Sequence, residues 1–356
     1  MNDCALISRR RWLCAAAALS ATSLGGCGNR SSTSSDRVLR VFNWSDYIHE
    51  DVIPEFEQRR QCSVVYDNYS SDAELETRLA TGGGGYDVVF PSDRAMAALL
   101  AKDLLSPIDM ARLANFRHLD AKFLSPPFDR GNHYSVPYFW GTVAVGLRTD
   151  KVTDTVHSFE PLFDPRYRGR ITMLDDLENA VAAVLLHLGL PLNSVEPGDL
   201  AQAQRLLLAQ KALLQAYTSD AYKERLYAGD AWVSLGWSGD LLQAARLEPR
   251  VPLRVVVPKT GTMIWLDSMA IPRRAPNVEL AHAFIDYLLE PPVALRNATA
   301  VQYATPNVAA QSLLPAAQRE DESVYPPAAT LDRCAWLENR GTDIEKIEAI
   351  WRQVRA

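Results

Sequence analysis

Three observations predict an α/β chain of two lobes with mostly parallel sheets. The 356 residues are roughly twice the length of a usual single domain. Short β-branched and aromatic runs alternate with helical patterns of about ten residues, as in βαβ units. A content of 47% hydrophobic and 22% charged residues is globular and leaves apolar surface for two cores.

The elements follow in order. Strands are expected over residues 38–44, 62–69 and 86–90, with helices over 49–60 and 72–80 between them. Ligands bind at the carboxyl ends of strands in such sheets. Trp44, Ser45 and Asp46 close the first strand and Ser92 follows the third, so these are site positions. On this pattern a second lobe begins near Thr149, with a strand over 169–175 and helices over 178–188 and 200–215. Further strands are expected over 231–236, 254–258 and 268–272, then a helix over 276–289.

Residues 1–27 read as an export signal: Arg9, Arg10 and Arg11 precede an apolar stretch over 12–24. Leu24-Gly25-Gly26-Cys27 resembles a bacterial lipoprotein processing box, in which the cysteine is acylated and becomes the first mature residue. Residues 8–13 also resemble a twin-arginine export motif. Residues 28–36 form a flexible polar tether. Removal of residues 1–26 takes three arginines and one aspartate, moving the net charge from −6 to −8. Cys62 and Cys334 are expected as unpaired core thiols.

Several function classes are excluded. The net charge of −6, with no basic tract beyond the first dozen residues, argues against nucleic-acid binding. No apolar run reaches the ~20 residues of a membrane span. The glycines at 82–85 lack the Lys-Ser/Thr of a phosphate loop. The histidines and cysteines lack zinc-ligand spacing, so neither a metal nor a cofactor is expected. Gly236-Trp237-Ser238-Gly239 lacks the spacing of a hydrolase nucleophile elbow.

What stands out is a tryptophan beside a carboxylate, three times: Trp44 with Asp46, Trp237 with Asp240, and Trp265 with Asp267. Indole faces attract ammonium groups and cover methylene chains, while carboxylates accept charged hydrogen bonds. Helix N-termini facing a strand-end cleft favour anions, so a cation site there must reverse the local potential with acids. The alternative is that each tryptophan fills core and each aspartate caps a turn.

Six collinear segments then carry a family resemblance: residues 41–48 (VFNWSDYI), 86–92 (YDVVFPS), 136–142 (VPYFWGT), 236–240 (GWSGD), 265–272 (WLDSMAIP) and 303–307 (YATPN). The chain resembles the putrescine/spermidine-binding proteins of bacterial ABC importers, which have the type II periplasmic binding protein fold. The resemblance implies a monomer that traps a polyamine between two lobes and delivers it to an inner-membrane ABC permease, without catalysis. It places lobe one at 37–143 and 267–312, and lobe two at 144–266 and 313–356.

By that resemblance, Trp44, Tyr47 and Tyr303 line the cavity, Asp46 binds an amine, and Ser45 and Ser92 add polar contacts. Trp237 and Trp265 box the aliphatic chain, Asp240 and Asp267 pair with ammonium groups, and Asp176 matches an acid of the spermidine-preferring branch. Four positions depart from, or sit beside departures from, the pattern. Asn179 replaces a glutamate, with Glu178 adjacent. Leu337 replaces a glutamine. Arg94 stands near a tyrosine or serine position, where it repels a polyamine unless it pairs with Asp93 or Asp176. The mixed pattern leaves room for another cationic or zwitterionic amine, including one with a carboxylate or phosphate. A membrane-tethered sensor that docks a receptor presents the same site, and a hydrolase using Asp175 and Asp176 is a third class. The implied location is the periplasm, with a lipid anchor on Cys27.

Overall fold

The computed structural model describes residues 37–82, 85–338 and 340–356. The expected export segment, Cys27 and the tether lie outside them.

A first, wholly parallel sheet joins β1 (Val38–Trp44) to β2 (Ser63–Tyr69) on one side and β3 (Val88–Val89) on the other. Helices α1 (Val52–Arg60) and α2 (Asp72–Ala80) make the crossovers, and α3 (Asp93–Ala101) follows β3. β3 is shorter than expected, and its neighbour on the far side is a single antiparallel bridge between Val89 and Ala270. β4 (Leu105–Ser106) forms a separate small pair.

The element that orders the rest is β5 (Val136–Arg148), thirteen residues long and buried along almost its whole length. Its start packs Val136, Tyr138 and Phe139 into the core beneath the first sheet, and its end packs Val143, Val145 and Leu147 into a second core. That second core is built from β6 (Ile171–Met173), β7 (Leu214–Tyr217), β8 (Val233–Trp237) and β9 (Leu253–Val256). β10 (Met263–Met269) runs back along β5, with Met263 in the second core and Met269 in the first. β11 (Ile271–Pro272) pairs with β4, and β12 (Ala335–Trp336) pairs with β10. The second sheet is mixed: β6 is parallel to β7 and β8, whereas β5 runs antiparallel to β8, β9 and β10. Alternation of short strands and helices announces the parallel units but not a through-strand whose two halves serve different cores.

Around the second core lie α4 (Leu177–His187), α5 (Pro197–Lys211), α6 (Tyr222–Ala228) and α7 (Ser238–Leu247). Residues 214 and 215 leave the expected helix for β7, since α5 ends at Lys211. The C-terminal helix Ile344–Arg355 sets Ile347, Ile350 and Val354 against α4 and α5 at helical spacing. α8 (Val278–Leu288) and α9 (Pro291–Val301) return to the first core, where Phe284 meets Phe56 edge-on at 4.9 Å. Cys62 is buried and Cys334 half-buried, and both are free thiols.

A bulge falls between Asp267 and Ser268, where β10 begins to pass from β5 to the first sheet. Pro137 stands opposite Ser268 and has no N–H to give, and the Ser268 N–H donates instead to the Pro91 carbonyl at 3.0 Å. Three residue pairs earlier in the ladder, Trp265 lies opposite Gly141. A Cβ on Gly141 would stand 2.3 Å from Cζ2 of that indole, which Tyr303 blocks edge-on at 4.9 Å. Gly141→Ala is therefore expected to cost about 1–3 kcal/mol of stability by overpacking. Urea unfolding followed by tryptophan fluorescence measures it.

Candidate functional site

The carboxyl ends of the strands and the N-termini of α2, α3, α4 and α7 converge on one cavity of about 640 Å³. Fourteen of the fifteen expected binding residues line it: Trp44, Ser45, Asp46, Tyr47, Ser92, Arg94, Asp176, Asn179, Trp237, Asp240, Trp265, Asp267, Tyr303 and Leu337. Glu178 is not in the lining; its carboxylate lies behind Arg94 and pairs with it.

Local sequence explains how each is aimed. Ser92 caps α3 by accepting from the Ala95 N–H at 3.2 Å, and Asp176 caps α4 by accepting from the Asn179 N–H at 2.9 Å. Asp46 has a φ of 54°, a left-handed conformation that aspartate tolerates better than most residues, and it turns the chain sharply after β1. On β8, Trp237 is the residue just before α7, so Asp240 falls in the first turn of that helix.

The aromatic wall is held from behind. Trp44 Nε1 donates to the Phe90 carbonyl at 2.8 Å, which also accepts from the Tyr69 hydroxyl at 2.5 Å. Tyr303 meets Tyr47 at 5.8 Å and Trp265 at 4.9 Å, edge-on in both cases. A Cβ on Gly239 would stand 2.1 Å from the Tyr303 ring, so α7 can approach only as glycine. Among the described residues, the buried Trp265 Nε1 has no hydrogen-bond partner.

Each central carboxylate is held by tyrosine hydroxyls. Asp267, only 8% exposed, accepts from Tyr47 at 2.5 Å. Asp240 accepts from Tyr303 at 2.7 Å and Tyr222 at 2.8 Å, and Lys223 stands 3.9 Å away. Burial pushes Asp267 well above the usual carboxylate range. The Tyr47 hydrogen bond opposes that shift, and the charges of Asp72 and Asp93 reinforce it. Burial also raises Asp93 to about 7 against the pull of Arg94, and raises Asp72 despite the Ser92 hydroxyl that donates to it at 2.6 Å. Desolvation lifts the three tyrosine hydroxyls as well, which keeps them protonated as donors.

Arg94 sits among acids. Its guanidinium donates to Asp176 at 3.0 Å and to Glu178 at 3.1 Å. Burial alone would raise Asp176, but the Arg94 charge and the α4 N–H outweigh it and hold the carboxyl below its ordinary range.

The lining carries eight carboxyl groups and two basic side chains, Arg94 and Lys223. Four helix N-termini make this an intrinsically anion-favouring place, and the acids reverse it. Such a cavity suits an organic cation, with indole and phenol rings for its methylenes and carboxylates for its charges. Among the described residues, no group of three or more His, Cys, Asp or Glu is placed to hold a metal ion.

Sequence reading missed Tyr69, Asp72, Asp93, Asp220, Tyr222 and Lys223. A signal for three of them was present. Among the described residues the dipeptide Ser-Asp occurs at 45–46, 71–72, 92–93 and 219–220, and all eight residues line the cavity. Three of these follow a strand that leads toward the cleft and precede a helix; Ser71 and Ser92 cap α2 and α3, where Asp72 and Asp93 complement the dipole.

The chain matches the family described as bacterial extracellular solute-binding protein over residues 51–322. It is 32% identical over 325 residues to the spermidine/putrescine-binding periplasmic protein of Salmonella typhimurium, covering 91% of this chain and 93% of that one. It is 32% identical to the putrescine/cadaverine-binding protein of Pseudomonas aeruginosa, covering 92% and 96%. The crystal structure of the spermidine/putrescine ABC transporter substrate-binding protein PotD from Streptococcus pneumoniae superposes with a TM-score of 0.85 at 29% identity, covering 90% of this chain and 98% of that one. The fold is thus the two-lobed type II fold of periplasmic binding proteins. Two cores threaded by β5 and β10, a cavity at their strand ends, and these likenesses together establish that the chain belongs to the bacterial extracellular solute-binding proteins.

Proposed function

We propose that this protein captures a polyamine of the putrescine/spermidine type outside the cytoplasm and delivers it to an ABC importer in the inner membrane. The observation that carries the reading is the acid-lined, aromatic-walled cavity, together with relatives named for putrescine, cadaverine and spermidine. Lobe one spans 37–143 and 267–312 and lobe two 144–266 and 313–356, so the chain crosses between them three times, in β5, in β10 and after residue 312. Asp46, Asp240 and Asp267 bind the ammonium groups, and Trp44, Trp237, Trp265, Tyr47 and Tyr303 enclose the methylene chain. Ser45 and Ser92 complete the polar contacts. The protein works as a monomer in the periplasm, anchored to a membrane through an acyl group on Cys27, and catalyses nothing.

Closing two lobes on a diamine removes water from each ammonium–carboxylate pair, which strengthens the pair and offsets the cost of ordering the cleft. Carboxyls raised by mutual burial are poised for this, because a cation among them relieves the repulsion and desolvation that keep them protonated.

Three outcomes test the reading. Asp267→Ala is expected to weaken putrescine binding by about 3–5 kcal/mol in titration calorimetry, since it strands a buried ammonium. Wild-type affinity in that variant would remove Asp267 from the site.

The second concerns pH. Asp267 is raised well above the ordinary value of 3.8, and Asp93 to about 7. The folded, ligand-free protein therefore binds more protons than the unfolded chain between these limits. Asp93 contributes stability below pH ~4 that is lost as pH rises through ~7, Asp267 acts in the same direction, and cation affinity rises as both ionise. Calorimetry near pH 6 in buffers of different ionisation heat should show protons released on binding; uptake would contradict the assignment.

The third concerns the anchor. Cys27→Ala is expected to abolish labelling by a radioactive fatty acid and to move the protein from the membrane to the soluble fraction. Unchanged labelling would refute acylation at Cys27.

A further inference from the structure

Two side chains in the cavity have the wrong charge for a cation site, Lys223 and Arg94, and Arg94 is the one held by two acids. Arg94, in the first turn of α3, reaches across to α4 and gives one guanidinium nitrogen to Asp176 at 3.0 Å and another to Glu178 at 3.1 Å. On the far side of Glu178 stands a second guanidinium. Arg340 has a side chain 2% exposed, with Nη1 3.6 Å from Glu178 Oε1 and Nη2 donating to the Leu192 carbonyl at 2.9 Å. Asp176 and Glu178 are thus matched by two permanent cations, and the nearby Asp72 and Asp93, which also feel the Arg94 charge, are raised by burial.

This corner is also rigid. Asp176 is fixed by its capping bond from the Asn179 N–H at 2.9 Å, and it cannot swing toward a guest without uncapping α4. Asn179, buried at the same helix start, is neutral. The aromatic side differs. Asp267 accepts from a tyrosine hydroxyl alone, and Asp240 from two, with Lys223 at 3.9 Å. None of the hydrogen bonds of Asp240 or Asp267 involves Arg94. Beside the rings Asp267 thus meets only a neutral hydroxyl and Asp240 a lysine at 3.9 Å, while Asp176 and Glu178 are each held by Arg94 at about 3 Å.

We propose that Arg94 is a resident cation that sets the length of ligand: the cleft admits a linear diamine and rejects a linear triamine. This deepens the polyamine reading above and rests on it. An added aminopropyl arm that enters the α3–α4 corner meets a fixed guanidinium. It must either face like charge in a desolvated space or displace Arg94 from both of its acids. Removing the arginine frees Asp176 and Glu178 for the third ammonium.

The test is titration calorimetry of the full mature chain with putrescine and spermidine, on the wild type, Arg94→Ala and Arg94→Gln. Glutamine keeps a polar bridge to the acids without the charge, and thermal unfolding establishes that each variant folds. The wild type is expected to prefer putrescine by at least about tenfold. Both variants should raise the ratio of spermidine to putrescine affinity by about tenfold or more. A wild type that prefers spermidine overturns the inference. So does an unchanged ratio of the two affinities in folded variants, and either result leaves the polyamine reading standing. Binding of neither amine to the wild type overturns both.

Discussion

The rest of the structure depends on holding several carboxyl groups close together, out of water, at helix N-termini. Asp72, Asp93, Asp176 and Asp240 each sit at or in the first turn of a helix that opens on the cavity. Each benefits individually from its helix, by the charge–dipole attraction that favours acids there. Collectively they repel and are poorly hydrated, which is why burial raises Asp72, Asp93 and Asp267 together. The fold supplies enough local favourable energy to keep an acid at each place and leaves the sum unfavourable until a positive charge arrives. Affinity for a cation is thereby built from a cost already met in folding.

The aromatic side chains turn that potential into a shape. Trp265 and Tyr303 lock each other edge-on, and each lies over a glycine, Gly141 and Gly239, whose missing Cβ makes the approach possible. The tyrosine hydroxyls then place Asp240 and Asp267. Rigid rings with few rotatable bonds lose little entropy when they close on a flexible amine. The strands that carry these residues, β5 and β10, also pass through both cores. Motion of one core relative to the other therefore acts on the site through the same two strands.

Much of this was readable along the chain. Strand–helix alternation gave the parallel units, because hydrophobic period and turn chemistry are local. The repeated pairing of tryptophan with aspartate pointed to six residues, strand ends and the family resemblance to nine more, and fourteen of the fifteen share one cavity. Glu178 fell outside the lining because adjacent positions on a helix face different directions, so Glu178 and its neighbour Asn179 cannot both point inward. The span of β5 was not readable. Nothing in residues 136–148 distinguishes a strand buried in one core from one shared by two, since both read as a continuous apolar run.

By itself the sequence determined which chemical groups were available, that they sit at strand ends and helix starts, and that acids outnumber bases among them. Those are consequences of local periodicity and capping. Tertiary structure alone decided which charges cancel. Arg94 and Asp176 are 82 residues apart and meet at 3.0 Å, whereas Asp240 and Asp267, no less acidic in sequence, meet tyrosines. Coulomb energy depends on distance and local dielectric, and both are set by how the two cores are brought together.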